Sequence, residues 1–320
     1  MSYLANVEVV GILEESTQGT LATPFVVGSY IMAEISKPKP VAETIKRDYH
    51  RASLDQMASR AGGVSVEIGI KVEAKGSGTT TVPWLPFKHM LVSAGHINTS
   101  LAIYDPTSVP ASANFYTIGK SVSIEYYVGS GVASSAFKQI ITGAVCTSLK
   151  LSGEAGKPMF WDFTFKGILG ARTQASLPAC TYNLVQPPLL ESSSFSFQGY
   201  SAILKKFSID WGLESTMRED SASLNGVKGF MVTGRKPKGQ ITIELPPLAT
   251  KDFITNMTTN VEDAMTFVTP TVSGNTLAFS FLKAQVTGFQ YSDQNGLLTA
   301  DLDLQFNQST GDDWFKHTQT

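Results

Sequence analysis

Residues 64–72, "VSVEIGIKV", alternate without a break: Val64, Val66, Ile68, Ile70 and Val72 stand on one side, Ser65, Glu67, Gly69 and Lys71 on the other. A period of two belongs to a β-strand, and an apolar side backed by a polar side predicts a sheet with one buried face. The same pattern, rich in β-branched and aromatic residues, recurs in "SVSIEYYV", "FWDFTFKG", "AILKKFSIDWG", "GQITIEL", "TLAFSFL" and "TADLDLQF". Helical spacing is confined to short pieces at 85–94 and 250–258, with a third expected inside 43–60. The chain is therefore expected to be mainly β.

The strand pattern is also written twice. "ITGAVCTSLKLSGEAGKPMFWDFTFKG" (141–167) and "VTGFQYSDQNGLLTADLDLQFNQ" (286–308) read as two versions of one hairpin, the second turning at Asn295-Gly296, a pair that supplies the positive φ of a tight turn. Upstream, "SVEI" at 65–68 matches "TIEL" at 242–245, Phe87 and Leu91 match Phe253 and Met257, and "VSIEY" at 122–126 matches "LAFSF" at 277–281. The order of elements is kept while their separation shrinks, as expected for a duplicated module with shortened loops. Between the copies lies "QASLPACTYNLVQPPLLESSSFSFQG", whose Pro178, Pro187, Pro188 and consecutive serines favour an irregular connection. We place one domain at 1–177 and a second at 178–320, with 178–198 beginning as linker. A chain of 320 residues is long enough for two such units.

Composition narrows what such a chain does. Charged residues make up only 16%, against about 25% in an ordinary soluble domain, so the molecule is expected to be either unusually compact or covered by other chains. Lys and Arg total 25 against 27 Asp and Glu, which leaves no basic field of the kind that holds nucleic acid without regard to sequence. Cys146 and Cys180 are too few for a disulfide framework or a zinc site and read as free thiols. The N-terminal "MSYLANVEVVGILEE" lacks the pattern of an export signal, and no apolar run is long enough for a membrane helix.

Two similar modules in one chain can occupy two places in a ring built head to tail, and such a ring also covers exposed sheet edges. Two charged excursions fit that picture as arms reaching a neighbouring chain or ring. The first, 36–63, carries Lys46, Arg47, Arg51 and Arg60 against Glu43, Asp48 and Asp55; the second, 212–229, carries Arg218 and Lys228 against Glu214, Glu219 and Asp220.

With "VEVVGILEESTQGTLATP" at the start, "GGVSVEIGIKVEAKG" after the first excursion, the "PP" linker, "SFSFQGYSAILKKFSIDWGLES" and the closing "VTGFQYSDQNGLLTADLDLQF", the chain resembles the major tail tube proteins of long, non-contractile-tailed bacteriophages. The resemblance covers nearly the whole chain and rests on pattern and order rather than on fixed catalytic residues. It implies two tandem tail-tube-like β-sandwich or barrel domains, each with a short helix. It also implies a structural virion protein, assembled in the host cytoplasm into stacked rings through which DNA leaves the capsid, with other tail proteins at the ends. Many relatives have one module and form hexamers; the doubling suggests trimeric rings with pseudo-sixfold symmetry, with a hexamer as the alternative.

No constellation for chemistry is expected, and no cofactor or metal. "KGSGTTT" (75–81) lacks the Gly-Lys-Ser/Thr that cradles phosphate, and His89 and His96 have no further ligands at matched spacing. Asp301 and Asp303 share the polar face of one strand, which could serve a glycosidase but is also ordinary strand patterning. With Glu67 they are candidates for a lumen wall that repels phosphates. Trp84, Trp161, Trp211 and Trp314 form no evenly spaced stacking platform and read as core or interface anchors. A two-domain carbohydrate-binding or adhesin module is the alternative from another class, although a sugar binder would place its aromatics on exposed loops or a flat face.

Overall fold

A computed structural model describes residues 3–4, 6–47, 49, 55, 57–80, 83–100, 103–130, 136–223 and 226–320. The first half of the chain contributes strands β1 (Glu8–Glu14), β2 (Tyr30–Ile31), β3 (Glu34–Ile45), β4 (Arg60–Glu73), β5 (His96–Ser100), β6 (Ile103–Pro106), β7 (Val122–Gly129), β8 (Ala136–Glu154) and β9 (Phe160–Ala175). Helix α1 (Leu85–Ser93) lies between β4 and β5. The second half contributes β10 (Ser194–Phe197), β11 (Leu204–Asp210), β12 (Leu213–Glu219), β13 (Val227–Arg235), β14 (Lys238–Glu244), β15 (Glu262–Val268), β16 (Leu277–Gln294), β17 (Leu297–Asn307) and β18 (Lys316–Gln319). Helix α2 (Phe253–Thr258) lies between β14 and β15. The mainly β reading holds, with its polar and apolar faces as the alternation requires: in β4, Val66, Ile68, Ile70 and Val72 are buried.

All named ladders are antiparallel, and the two halves repeat one succession of neighbours. In the first it runs β1, β7, β8, β9, β4, β3; in the second, β10, β15, β16, β17, β14, β11. Even the irregularities correspond. Between Cys146 and Ser148 the register slips at Thr147, whose hydroxyl donates to the Thr164 carbonyl at 3.3 Å. Between Val286 and Gly288 it slips at Thr287, whose hydroxyl donates to the Asp303 carbonyl at the same 3.3 Å. Matched bulges of this kind are conserved features of a ladder rather than accidents, and they set a common origin for counting.

Counted from these threonines, the sequence matches need adjustment. Phe87 and Phe253 do sit on corresponding helices, both buried. In the corresponding strands β4 and β14, however, the residues in register are Ile70–Glu73 and Ile241–Glu244: Ile70 opposes Phe163, which faces Leu149, while Ile241 opposes Leu302, which faces Phe289. "VSIEY" lies in β7, whose counterpart is β15, not the β16 strand that holds "LAFSF". Period-two strands resemble one another at any even shift, so only the ladder fixes which copy answers which.

The helix expected inside 43–60 is absent among the described residues. Thr44 and Ile45 continue β3 and oppose Ala61 and Arg60 of β4, so the excursion begins and ends as a hairpin. Ser194–Phe197, expected in the linker, is already strand β10, held by β15. The rest of the connection straps the surface: Thr181 N–H donates to the Val27 carbonyl at 2.8 Å, and the Asn183 and Asn275 amides reach the Gly76 and Gln186 carbonyls.

One apolar cluster runs through both halves, from Val10 and Ile12 to Trp314 and Phe315. At its centre Trp161 of β9 packs against Trp211, with ring centroids 5.3 Å apart, and Trp211 packs against Phe315 at 5.0 Å. Two histidines are enclosed there. Trp211 Nε1 donates to His96 Nε2 at 3.0 Å, which leaves Nδ1 to donate to the Leu91 carbonyl, while His317 stacks on Phe279 at 4.7 Å. Burial keeps both imidazoles neutral, pushing each down to about 3. An unfolded chain takes up protons at these positions below its ordinary pKa of about 6.5, whereas the folded chain does not. Stability should therefore fall as pH drops from about 6.5 to 5, by up to about 1.4 kcal/mol per pH unit for each histidine. Thermal melts across that window should show the slope, and His317→Phe should remove about half of it.

Candidate functional site

The surfaces that bear on function are the two hairpins, the polar face of the sheet, and the sheet edges. The β3–β4 hairpin carries the first excursion into solvent. Lys46, Arg47, Asp55 and Arg60 are all exposed there, and so are the apolar Val41, Ile45 and Tyr49; Asp48 and Arg51 lie outside the described residues. Nearer its base, Lys71 meets Glu34 at 3.0 Å and Lys37 meets Glu8 at 3.5 Å.

The second excursion is placed differently. The β12–β13 hairpin lies on the first half of its own chain, where Val227, Phe230 and Val232 are buried against Val145, Ile118 and Ile168. Gln18 Nε2 donates to the Phe230 carbonyl at 2.8 Å, Val232 N–H donates to Thr117 Oγ1 at 3.1 Å, and Tyr116 Oη donates to the Lys228 carbonyl. Its charged residues are engaged locally. The Arg218 guanidinium stands 4.1 Å from the centre of the Tyr116 ring, Glu214 pairs with Lys236 at 2.6 Å, and Asp220 accepts from Ala222 N–H in the turn and pairs with Lys228 at 3.1 Å. The Ala222 N–H bond and Lys228 hold the Asp220 carboxyl below its ordinary range. Glu219 is exposed. As an arm toward a neighbour, this hairpin has its apolar side already taken.

Glu67, Asp301 and Asp303 all stand on the polar side of their strands. Glu67 faces Lys166 across the ladder at 3.4 Å, so its charge is balanced. Asp301 accepts from the Thr242 hydroxyl and Asp303 from Gln240 Nε2 at 3.3 Å. Together with the Lys150–Asp210 pair at 3.6 Å, these make a face of mixed sign on which Asp301 and Asp303 of β17 are in no ion pair among the described residues.

The remaining polar features serve packing. Gly76 N–H donates to Asn275 Oδ1 at 2.7 Å, and a Cβ at Gly76 would stand 2.1 Å from the Gly274 carbonyl oxygen, so the glycine-rich turn is a close contact between the halves. His89 Nδ1 lies 2.8 Å and Lys120 Nζ 2.7 Å from the Glu14 carboxylate. Burial opposes ionisation of Glu14, but these two partners outweigh it and hold the carboxyl down at about 2. No group of three or more His, Cys, Asp or Glu among the described residues is arranged to hold a metal ion.

Besides the short strands β2, β5 and β10, two longer edges of the main sheet have a ladder on one side only among the described residues. β3 pairs with β4 alone, and β16 pairs with β17 as far as Gln294 while its other edge is followed by β15 only to Gln285. Sequence reasoning did not single out these edges, although Pro38 and Pro40, which cannot donate to a ladder, mark β3 as an edge strand. The described residues thus present a repeated strand succession, faces of mixed charge and strand edges paired on one side. A family model described as phage tail tube protein matches residues 5–307. The chain belongs to the phage tail tube protein family. No curated protein matches it. Membership makes the chain a component of the virion's tail, in a structural rather than enzymatic family whose members assemble as multimers into a tube with other tail proteins. No described helix is long and apolar enough to cross a membrane.

The contrast between the hairpins is measurable. Phe230→Ala should cost about 3 kcal/mol in denaturant unfolding, as truncation of a buried aromatic does. Arg47→Ala, exposed at the end of the other hairpin, should stay within about 0.5 kcal/mol of the parent chain.

Proposed function

We propose that the chain polymerises into stacked rings that form the tail tube, the conduit through which DNA is ejected. Residues 1–177 and 178–320 act as two modules of one design, so three chains supply six quasi-equivalent positions. The observation that carries this reading is the repeated strand succession, together with the ladder between β8 and β11 that joins the first module to the second edge to edge. Two modules already joined within a chain are two consecutive members of a ring.

In this reading the polar face of the sheet lines the bore. Asp301 and Asp303, which have no cation opposite them among the described ion pairs, keep DNA from adhering, with Glu67 contributing less because Lys166 balances it. The β3–β4 hairpin, with Lys46, Arg47, Asp55 and Arg60 exposed at its end, reaches a neighbouring chain or ring.

Negative-stain microscopy of the purified chain tests the assembly: tubes or rings are expected, whereas persistent monomers with glycan-array signal would favour a carbohydrate-binding module. For the bore, a Glu67→Lys, Asp301→Lys, Asp303→Lys variant should assemble normally and slow DNA ejection. Unchanged ejection from normal tails would remove these residues from the lumen.

A further inference from the structure

The ladder between the halves is a complete example of a joint whose two sides each occur once more on the chain, unfilled. Its register is Lys206 to Glu154, Phe207 to Gly153, Ser208 to Ser152, Ile209 to Leu151 and Asp210 to Lys150. On the polar side Lys150 and Asp210 pair; on the apolar side Phe207 and Ile209 are buried with Leu151 and Met159. The fit is close enough that a Cβ on Gly153 would stand 2.7 Å from the Phe207 ring.

Counting from the bulge threonines Thr147 and Thr287, Lys150–Glu154 of β8 corresponds to Gln290–Gln294 of β16. Both stretches lie on an edge that β7 or β15 has already left: the β7 ladder stops at Ala144 and the β15 ladder at Gln285. The other side corresponds equally well. Lys206, Phe207 and Ser208 oppose Thr242, Ile241 and Gln240, as Glu34, Ile35 and Ser36 oppose Lys71, Ile70 and Gly69. In β11 the far edge is taken by β8; in β3 it is open among the described residues.

Burial shows the same vacancy. Leu151 and Met159, beneath the internal joint, are both 0% exposed. Their counterparts across the β16–β17 hairpin, Tyr291 and Leu298, are 55% and 51% exposed, although they stand on the strands' apolar side. At the opposite end, beside β3, Met32 is exposed and Ile35 only half-buried. Two incomplete ends of complementary kind, on one molecule, meet head to tail with a second copy and generate a ring or filament.

We propose that Ser292–Gln294 of one chain pairs antiparallel with Glu34–Ser36 of the next, with Gln294 opposite Glu34, Asp293 opposite Ile35 and Ser292 opposite Ser36, burying Tyr291 and Leu298 against Met32 and Ile35. The ladder ends there, because Pro38 and Pro40 offer no N–H. This joint rests on the polymerising reading given above and specifies which residues close it. The inner joint has the Lys150–Asp210 pair and Gly153 beneath Phe207, whereas the outer one has Gln290 in place of the lysine and Asp293 facing the smaller Ile35, so association between chains depends on the ladder and on burial of Tyr291 and Leu298.

The test uses the full chain with Cys180 replaced by Ala. Ser36→Cys combined with Ser292→Cys should give a ladder of disulfide-linked multimers under mild oxidation, and neither single variant should. Ser36→Cys with Asp293→Cys, one residue out of register and so on the opposite face, should give at least ~tenfold less. Tyr291→Lys, exposed in the single chain, should keep the parent's melting temperature yet lose assembly. Tubes seen by microscopy without the Ser36–Ser292 cross-link, tubes cross-linked equally through Asp293, or tubes formed as well by Tyr291→Lys would each overturn the joint while leaving the tube role standing. A parent chain that never assembles at any concentration would overturn both.

Discussion

Everything in this molecule follows from the need of strand edges for a partner. A strand presents N–H and C=O groups on both sides, and each unpaired row is a binding surface for another strand. The chain answers that need once within itself, where β11 takes the far edge of β8, and the answer converts two similar modules into one continuous sheet with one apolar core. The aromatic seam of Trp161, Trp211 and Phe315 lies under this junction, so the relation between the modules is set by side-chain packing as well as by the ladder.

The two long hairpins show how one design reaches different ends. Both connect corresponding strands, β3 to β4 and β11 to β14. The second buries Val227, Phe230 and Val232 on the first module and engages Glu214, Arg218 and Asp220 in local contacts. The first keeps Lys46, Arg47 and Arg60, together with Val41, Ile45 and Tyr49, exposed to solvent.

Some interior polar groups tie loops to the sheet. Glu15 is buried and accepts from Ser123 Oγ at 2.8 Å and from the Gly19 and Gly143 N–H groups at 2.7 Å, tying the segment after β1 to the irregular part of β8. Cys146 is buried and its thiol is pushed up by that burial, so it is a packing residue rather than a nucleophile. A protein whose role is to hold a shape gains from spending its buried polar groups on fixing loops to sheets.

What the sequence determined by itself was local. Alternation made the strands, Asn295 and Gly296 with φ of 56° and 80° made the turn of the β16–β17 hairpin, and Phe87 and Phe253 marked the two helices. The doubling was legible too, in order though not in register: an alternating strand matches another at any even shift, and "VSIEY" was set against the wrong partner for that reason. Only the tertiary structure decided that the stretch inside 43–60 begins and ends as strand rather than helix, that the second hairpin lies on its own chain, and that Tyr291 and Leu298 are left uncovered. Each of these depends on which distant strand lies alongside, and the period of a single strand carries no information about its neighbour.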